Sequence, residues 1–257
     1  MSLPDTPFNA ATYQAVIFDM DDTLYPERDF VLSGFTVVAT WAERVLGIPA
    51  DEGYGLLARL FAEGVRGDTF NRWLAAWHVA QPERFLPEMV AVYREHEPQI
   101  RPFPEIPSLL QQLRATCRLG LVSDGYLDVQ RRKLRALGLA GCFEAIVFSD
   151  EWGRAHWKPD PKPYVVVLKK LGILPEQAVY VADNPKKDFL GARRIGMATI
   201  RFCFPSGEYA HLEPPSSEHA PDMVTNSLAG LRQLLRGHVD VGEGETAVGN
   251  PARPIVK

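Results

Sequence analysis

An α/β fold, a parallel-sheet core carrying an inserted all-helical domain, is predicted by three features of the 257-residue sequence. Short, almost wholly apolar runs recur along the chain with helical patterns between them. The runs are apolar throughout rather than alternating, as in strands covered on both faces. One long stretch after the first run holds helical patterns alone. Strands that alternate with helices imply a parallel sheet with right-handed crossovers.

The predicted strands are Ala15–Phe18, Leu119–Val122, Ala145–Phe148, Val179–Ala182 and Thr199–Phe202. Helical spacing marks Ile106–Arg114, Leu127–Leu137, Tyr164–Leu171 and Phe189–Ile195 as their partners. Between Tyr25 and Arg101 apolar residues repeat at three- and four-residue steps over Phe30–Leu46, Tyr54–Phe61 and Phe70–Trp77. A simple crossover needs only about a dozen residues, so this stretch reads as a second, smaller domain. Pro98, Pro102, Pro104 and Pro107 punctuate the return to the sheet. The expected division is residues 1–24 and 101–236 for the α/β core, 25–100 for the helical insert, and 237–257 for a loose Gly-rich tail.

Composition narrows the function classes. With 46% hydrophobic and 23% charged residues, the chain is neither disordered nor fibrous. A net charge of -4 argues against a general nucleic-acid binder, which needs clustered Lys and Arg. No apolar stretch approaches the roughly 20 residues that span a bilayer, and no membrane partner is expected. Met1 to Ala11 lacks the basic start and apolar run of a secretory signal. Cys117, Cys142 and Cys203 are odd in number and outside any CxxC pattern, which suits reduced, mostly buried thiols in a cytoplasmic protein.

Chemistry concentrates where strands end. The first strand runs into Asp19-Met20-Asp21-Asp22-Thr23. In extended backbone, residues two apart point the same way, so Asp19 and Asp21 should emerge together at the C-terminal edge. Ligands of open parallel sheets bind at that edge. Two such carboxylates repel unless a cation or a shared proton relieves them. The second strand ends in Ser123-Asp124-Gly125, a hydroxyl and backbone N–H groups before a helix, suited to an anionic oxygen. After the third comes Lys158 within Trp157-Lys158-Pro159-Asp160-Pro161-Lys162-Pro163, with Pro161 and Pro163 near the first turn of a helix. The fourth ends in Asp183, followed by Asp188 at a helix start, where a helix cap is the simple structural explanation. Together these carboxylates, one Lys and a hydroxyl fit a hard, oxygen-liganded cation such as Mg2+ and a phosphate.

This pattern resembles the haloacid dehalogenase superfamily, and specifically its phosphatases, over Gln14 to about Phe202. Asp19 to Thr23 looks like the DxDxT motif, Ser123 and Lys158 match the second and third motifs, and Asp183 to Asp188 matches the fourth with Ala182 in place of the usual Gly. The spacing between Thr23 and Ser123 is long and that between Ser123 and Lys158 short, which in this family implies a Rossmann-like core with a helical C1 cap and no C2 cap. The resemblance implies Asp19 as nucleophile, Asp21 as general acid and base, and Lys158 as the neutralising cation. It implies Mg2+ held by Asp19, Asp183 and the Asp21 carbonyl with support from Asp188. Ser123, the N–H groups near Asp124 and Gly125, and Lys158 would receive the phosphoryl oxygens. The implied activity is hydrolysis of a small phosphorylated metabolite, a sugar phosphate first, by way of a phosphoaspartyl intermediate.

Dehalogenases and phosphonatases of the superfamily do not carry an Asp acid/base at the position of Asp21. A β-phosphoglucomutase-like phosphotransferase shares both aspartates, but its motif typically reads DxDGV. A regulatory or binding module without catalysis is the reading from another class, and every catalytic position here is filled. Trp41, Trp73 and Trp77 read as core of the insert, His78 and His96 as surface residues, and Lys186-Lys187 as a solvated loop. The oligomeric state is not legible.

Overall fold

The first apolar run becomes the centre of the sheet. In the computed structural model, which describes residues 13–236, Ala15–Phe18 forms β1 with every side chain buried. Four helices follow: α1 (Glu27–Leu46), α2 (Ala50–Ala62), α3 (Thr69–Ala76) and α4 (Pro82–Glu95). The chain then alternates through α5 (Ile106–Leu113), β2 (Arg118–Ser123), α6 (Leu127–Leu137), β3 (Ala145–Phe148), α7 (Lys162–Leu171), β4 (Ala178–Ala182), α8 (Asp188–Arg194) and β5 (Ala198–Phe202). It closes with β6 (Met223–Thr225) and α9 (Leu228–Arg236). The tail expected over 237–257 lies outside the described residues, as do residues 1–12.

All five strand pairings are parallel, in the order β3-β2-β1-β4-β5-β6. The sheet separates two apolar layers because alternate residues of a strand face opposite sides. Val16 and Phe18 pack with Leu109, Leu110 and Leu113 of α5, Leu134 and Leu137 of α6 and Leu231 of α9. Ala15 and Ile17 pack with Val167, Leu168 and Leu171 of α7 and Phe189 and Ala192 of α8. Each fully buried Leu or Ile contributes on the order of 1.5–3 kcal/mol. Both layers are needed, which is why the strands read as unbroken apolar runs.

Helices α1 to α4 share a third cluster of their own, built on Phe35, Val38, Trp41, Leu57, Phe61, Trp73, Leu74 and Met89. Trp73 is fully buried and donates its indole N–H to the Gly53 carbonyl at 2.8 Å. Helix α4 is absent from the sequence expectation because Pro87 lies inside it and only Met89 is fully buried, which leaves little apolar period to read. Strand β6 escaped for a different reason: three residues at a sheet edge carry no period.

Two expectations about burial are corrected. His96 is buried rather than at the surface, its ring 4.9 Å from Phe30 of α1 and 5.9 Å from Tyr93 of α4. Of the three free cysteines only Cys117 is buried, while Cys142 and Cys203 are partly exposed beside short connecting segments.

Candidate active site

Strand parity decides which cation meets Asp19. It continues the Ala15–Ile17 side of β1, the face covered by α7 and α8. Lys158 reaches it from the loop before α7, where Pro161 and Pro163 stand at the helix start as expected. The Lys158 ammonium donates to Asp19 Oδ1 at 2.9 Å, Asp188 Oδ1 at 2.6 Å and the Tyr180 hydroxyl at 3.0 Å. All three of its N–H donors are therefore used, and the side chain is wholly buried. Burial works against its charge, yet Asp188 and Asp19 outweigh that and hold its pKa well above the usual value. Tyr180 lies on the same face of β4, so the sheet itself presents the hydroxyl that fixes the ammonium from below.

Asp188 does not cap α8. It is the first helical residue, and its Oδ2 accepts the backbone N–H of Asn184 at 2.8 Å while Oδ1 holds Lys158. The helix-start explanation is thereby replaced by one in which Asp188 ties the loop after β4 to the loop before α7. That junction is tight. A Cβ on Gly191 would stand 2.8 Å from the Tyr164 ring and 3.2 Å from the Asp160 carbonyl, so only glycine lets α8 approach so closely.

Asp19, Asp183 and Asp188 bring one carboxylate oxygen each within 4.8 Å of one another. Asp183 is buried, and its Oδ2 has no hydrogen-bond partner. Burial, then the charges of Asp188 and Asp19, push its carboxyl well above the ordinary range. Asp19 is pushed up to about 6, by burial first and only partly offset by Lys158. Three carboxylates around one ammonium leave excess negative charge, and the orphaned Asp183 oxygen has no protein donor to satisfy it. The donor set fits a hard divalent cation liganded by oxygen.

Asp21 is held differently from the extended-strand expectation. β1 ends at Phe18, and the chain turns, with Leu24 N–H donating to the Met20 carbonyl at 2.9 Å. Asp21 consequently meets a second cation, Lys133 of α6, at 2.8 and 2.9 Å from its two oxygens, and also accepts the Tyr25 hydroxyl. Burial favours a raised pKa for Asp21, but Lys133 and Tyr25 overcome it and hold the carboxyl below the usual value. Lys133 is itself buried and lies 4.2 Å from the centroid of the Phe30 ring of α1. Neighbouring Asp22 accepts the Glu27 N–H at 2.7 Å and the Glu208 N–H at 2.7 Å. It thereby ties the start of α1 and the loop after β5 to one carboxylate.

Ser123 lies buried at the end of β2, with its hydroxyl donating to Gln130 Oε1 of α6 at 3.1 Å. The Asp124 side chain is committed elsewhere, accepting from Ser149 Oγ at 2.5 Å and from the Lys158 backbone N–H at 3.1 Å. That leaves Asp124 only its backbone N–H to offer an anion. Gly125 has φ 121°, and a side chain there would collide with Gln130.

Lys133, Gln130, Tyr25 and Tyr180 were missed by the sequence reading. In α6 the three-residue step from Gln130 to Lys133 puts both on one helix face, a signal that was present but ordinary for a polar surface. Lys187 is partly buried, and its charge bears on Asp19, Asp21 and Asp183, whereas Lys186 is exposed. The solvated-loop reading therefore holds for Lys186 alone. Glu27 faces the same cleft, its carboxyl raised to about 7 by burial and by Asp21.

The pattern of the haloacid dehalogenase-like hydrolases matches residues 16–202. A glyceraldehyde 3-phosphate phosphatase of Methanopyrus kandleri is 33% identical over 233 residues, covering 87% of this chain and 97% of that protein. An (S)-2-haloacid dehalogenase of Xanthobacter autotrophicus is 25% identical and covers 87% of this chain and 95% of its own. Among solved structures, a HAD family hydrolase from Deinococcus radiodurans R1 with bound phosphate and sodium superposes with a TM-score of 0.63 at 24% identity, over 88% of this chain and 96% of that one.

Proposed function

Since this chain belongs to the haloacid dehalogenase-like hydrolase family, we propose that it is a Mg2+-dependent phosphatase acting on a small phosphate monoester, a sugar phosphate first. In this reading residues 25–100 are a helical cap over an α/β core made of residues 1–24 and 101–236. A single observation carries the proposal. Two aspartates from one strand end each hold a different buried lysine, Asp19 with Lys158 and Asp21 with Lys133. Such a division gives the two carboxyls different partners and unlike surroundings, as two different roles in one reaction require.

Asp19 attacks phosphorus and forms a phosphoaspartyl intermediate while the bond to the leaving oxygen breaks. Asp21 donates its proton to that oxygen, then accepts one from the water that hydrolyses the intermediate. Lys158 offsets the negative charge of nucleophile and phosphoryl group together, as phosphoryl transfer requires. The N–H groups of Asp124 and Gly125 bind the phosphoryl oxygens, joined by the Ser123 hydroxyl when it turns from Gln130 to the phosphate. Mg2+, held by Asp19, Asp183 and the Asp21 carbonyl with support from Asp188, would supply further positive charge to those oxygens. Closure of the helical cap would exclude water from the site.

The acid/base at Asp21 favours phosphate esters over the haloacids of the Xanthobacter relative, because a C–halogen bond breaks without protonation of a leaving oxygen. Release of phosphate from p-nitrophenyl phosphate by the purified protein, with and without Mg2+, tests the reading. Metal-dependent turnover is expected. A metal-replete protein that releases none overturns it.

A further inference from the structure

We propose that Arg94, Arg154 and Tyr126 form an anion-binding subsite at the rim of the cleft, and that the substrate is a phosphate monoester whose tail carries a carboxylate, such as a short phosphorylated sugar acid. This rests on the phosphatase reading and narrows its substrate class.

Two segments that build the active site and the last turn of α4 converge on one hydroxyl. Tyr126 directly follows the Ser123–Gly125 loop. Arg154 lies in the loop that ends at Lys158, and Arg94 is in the last turn of α4, next to Tyr93. Arg94 donates to the Tyr126 hydroxyl at 3.0 Å and lies 3.9 Å above its ring. Arg154 donates to the same oxygen and lies 5.1 Å from the same ring. Two guanidinium groups that share one acceptor stand within about 6 Å of each other. Among the described residues, neither has a carboxylate within ion-pair distance.

The platform beneath them is built. Trp157 meets Tyr126 edge to face at 6.1 Å, and Arg154 also lies 5.4 Å from the Trp157 ring. Trp157 is fixed by its indole N–H to Asp150 Oδ1 at 3.0 Å. The other Asp150 oxygen accepts the Leu127 N–H at 3.0 Å, at the start of α6. Asp150 is thus committed to holding the aromatic pair and offers neither arginine an ion pair. Planar guanidinium groups on aromatic faces present their free N–H donors outward as a fork that matches a carboxylate. One arginine comes from the insert and the other from the core, so an anion between them also draws the two together. The position beside the Ser123–Gly125 loop requires a short spacer between phosphate and tail.

The test compares 3-phosphoglycerate with glycerol 3-phosphate, which differ by carboxylate against hydroxymethyl, using p-nitrophenyl phosphate as the reference for turnover. The wild type is expected to favour 3-phosphoglycerate by ten-fold or more in kcat/KM. Arg94→Ala and Arg154→Ala are each expected to reduce that ratio at least ten-fold, mainly through KM. The conservative Arg154→Lys should restore part of it, since charge returns without the fork. No preference in the wild type, or an unchanged ratio in both alanine variants, overturns the subsite. Absence of p-nitrophenyl phosphate turnover in the wild type would instead overturn the phosphatase reading. Should an alanine variant fail to fold, Tyr126→Phe keeps the ring and removes the shared oxygen, and an unchanged ratio in it counts against the subsite equally.

Discussion

Replacing Asp183 with Asn should stabilise the metal-free protein and abolish its stabilisation by Mg2+. Asp183 is buried, one of its oxygens has no donor, and Asp188 and Asp19 stand beside it. Burial and those charges raise its carboxyl well above the ordinary range. Each unit of such a shift costs about 1.4 kcal/mol of stability. The cost stops growing once the carboxyl takes up a proton in the fold. At pH 7, about three units above an ordinary Asp, the ceiling is therefore about 4 kcal/mol. Water reaching the cleft reduces that, and the expected gain for Asp183→Asn is roughly 1–2 kcal/mol, or about 2–8 °C in Tm for a domain of this size. The amide also brings two donors to a place crowded with acceptors.

The sign with pH follows from the raised pKa. The wild type loses this stability as pH rises from the ordinary Asp value toward the folded one, so the advantage of Asn should vanish by about pH 4. Mg2+ at 100 times its dissociation constant stabilises a folded binder by about 2.7 kcal/mol, which the wild type should show and the variant should not. Thermal unfolding with a chelator and with Mg2+, between pH 4.5 and 8, reads all three effects. A metal-free variant less stable than the wild type at pH 7, or equal Mg2+ shifts in both proteins, would refute the reasoning.

Asp19→Asn should lower phosphate release by about a thousand-fold or more with an unchanged circular dichroism spectrum; retained turnover would mean another nucleophile. Lys133→Met removes the cation bound to both oxygens of Asp21 and should cost about 2–3 kcal/mol, somewhat below the value for fully buried pairs because Asp21 keeps some exposure. In the same variant burial prevails at Asp21, its pKa rises, and the alkaline limb of the kcat/KM pH profile, where the leaving-group acid loses its proton, should move upward; an unmoved limb argues against Asp21 as the acid/base. Arg66 joins the loop after α2 to Glu208 of the core at 2.6 Å, but it is half-exposed. Arg66→Ala should therefore change stability by under about 1 kcal/mol in chemical unfolding, and a loss above 2 kcal/mol would show a larger structural role.

Strand ends carried most of what could be read in advance. Unbroken apolar runs such as Ala15–Phe18 and Val179–Ala182 announce strands buried on both faces, and parallel pairing sends their C-terminal ends to one edge. Asp19, Ser123, Lys158 and Asp183 could be grouped on that ground alone, before any contact was known. Likewise, the helical periods between Tyr25 and Arg101 announced three of the four helices of the insert. Pro87 concealed the fourth.

The sequence by itself determined the layered α/β fold and the carboxylate-rich edge, because periodicity and strand-end position are local properties of the chain. Only the tertiary structure decided which lysine each aspartate meets. Lys133 is 112 positions from Asp21, and Lys158 is 139 from Asp19. No local pattern encodes such separations; the packing of α6 and α7 on opposite faces of β1 creates them. The same holds for Tyr126, whose hydroxyl collects one arginine from the insert and one from the core. Strand parity carried from Ala15 sends Asp19 to the α7 side of the sheet, and the turn that follows β1 sends Asp21 to Lys133 of α6.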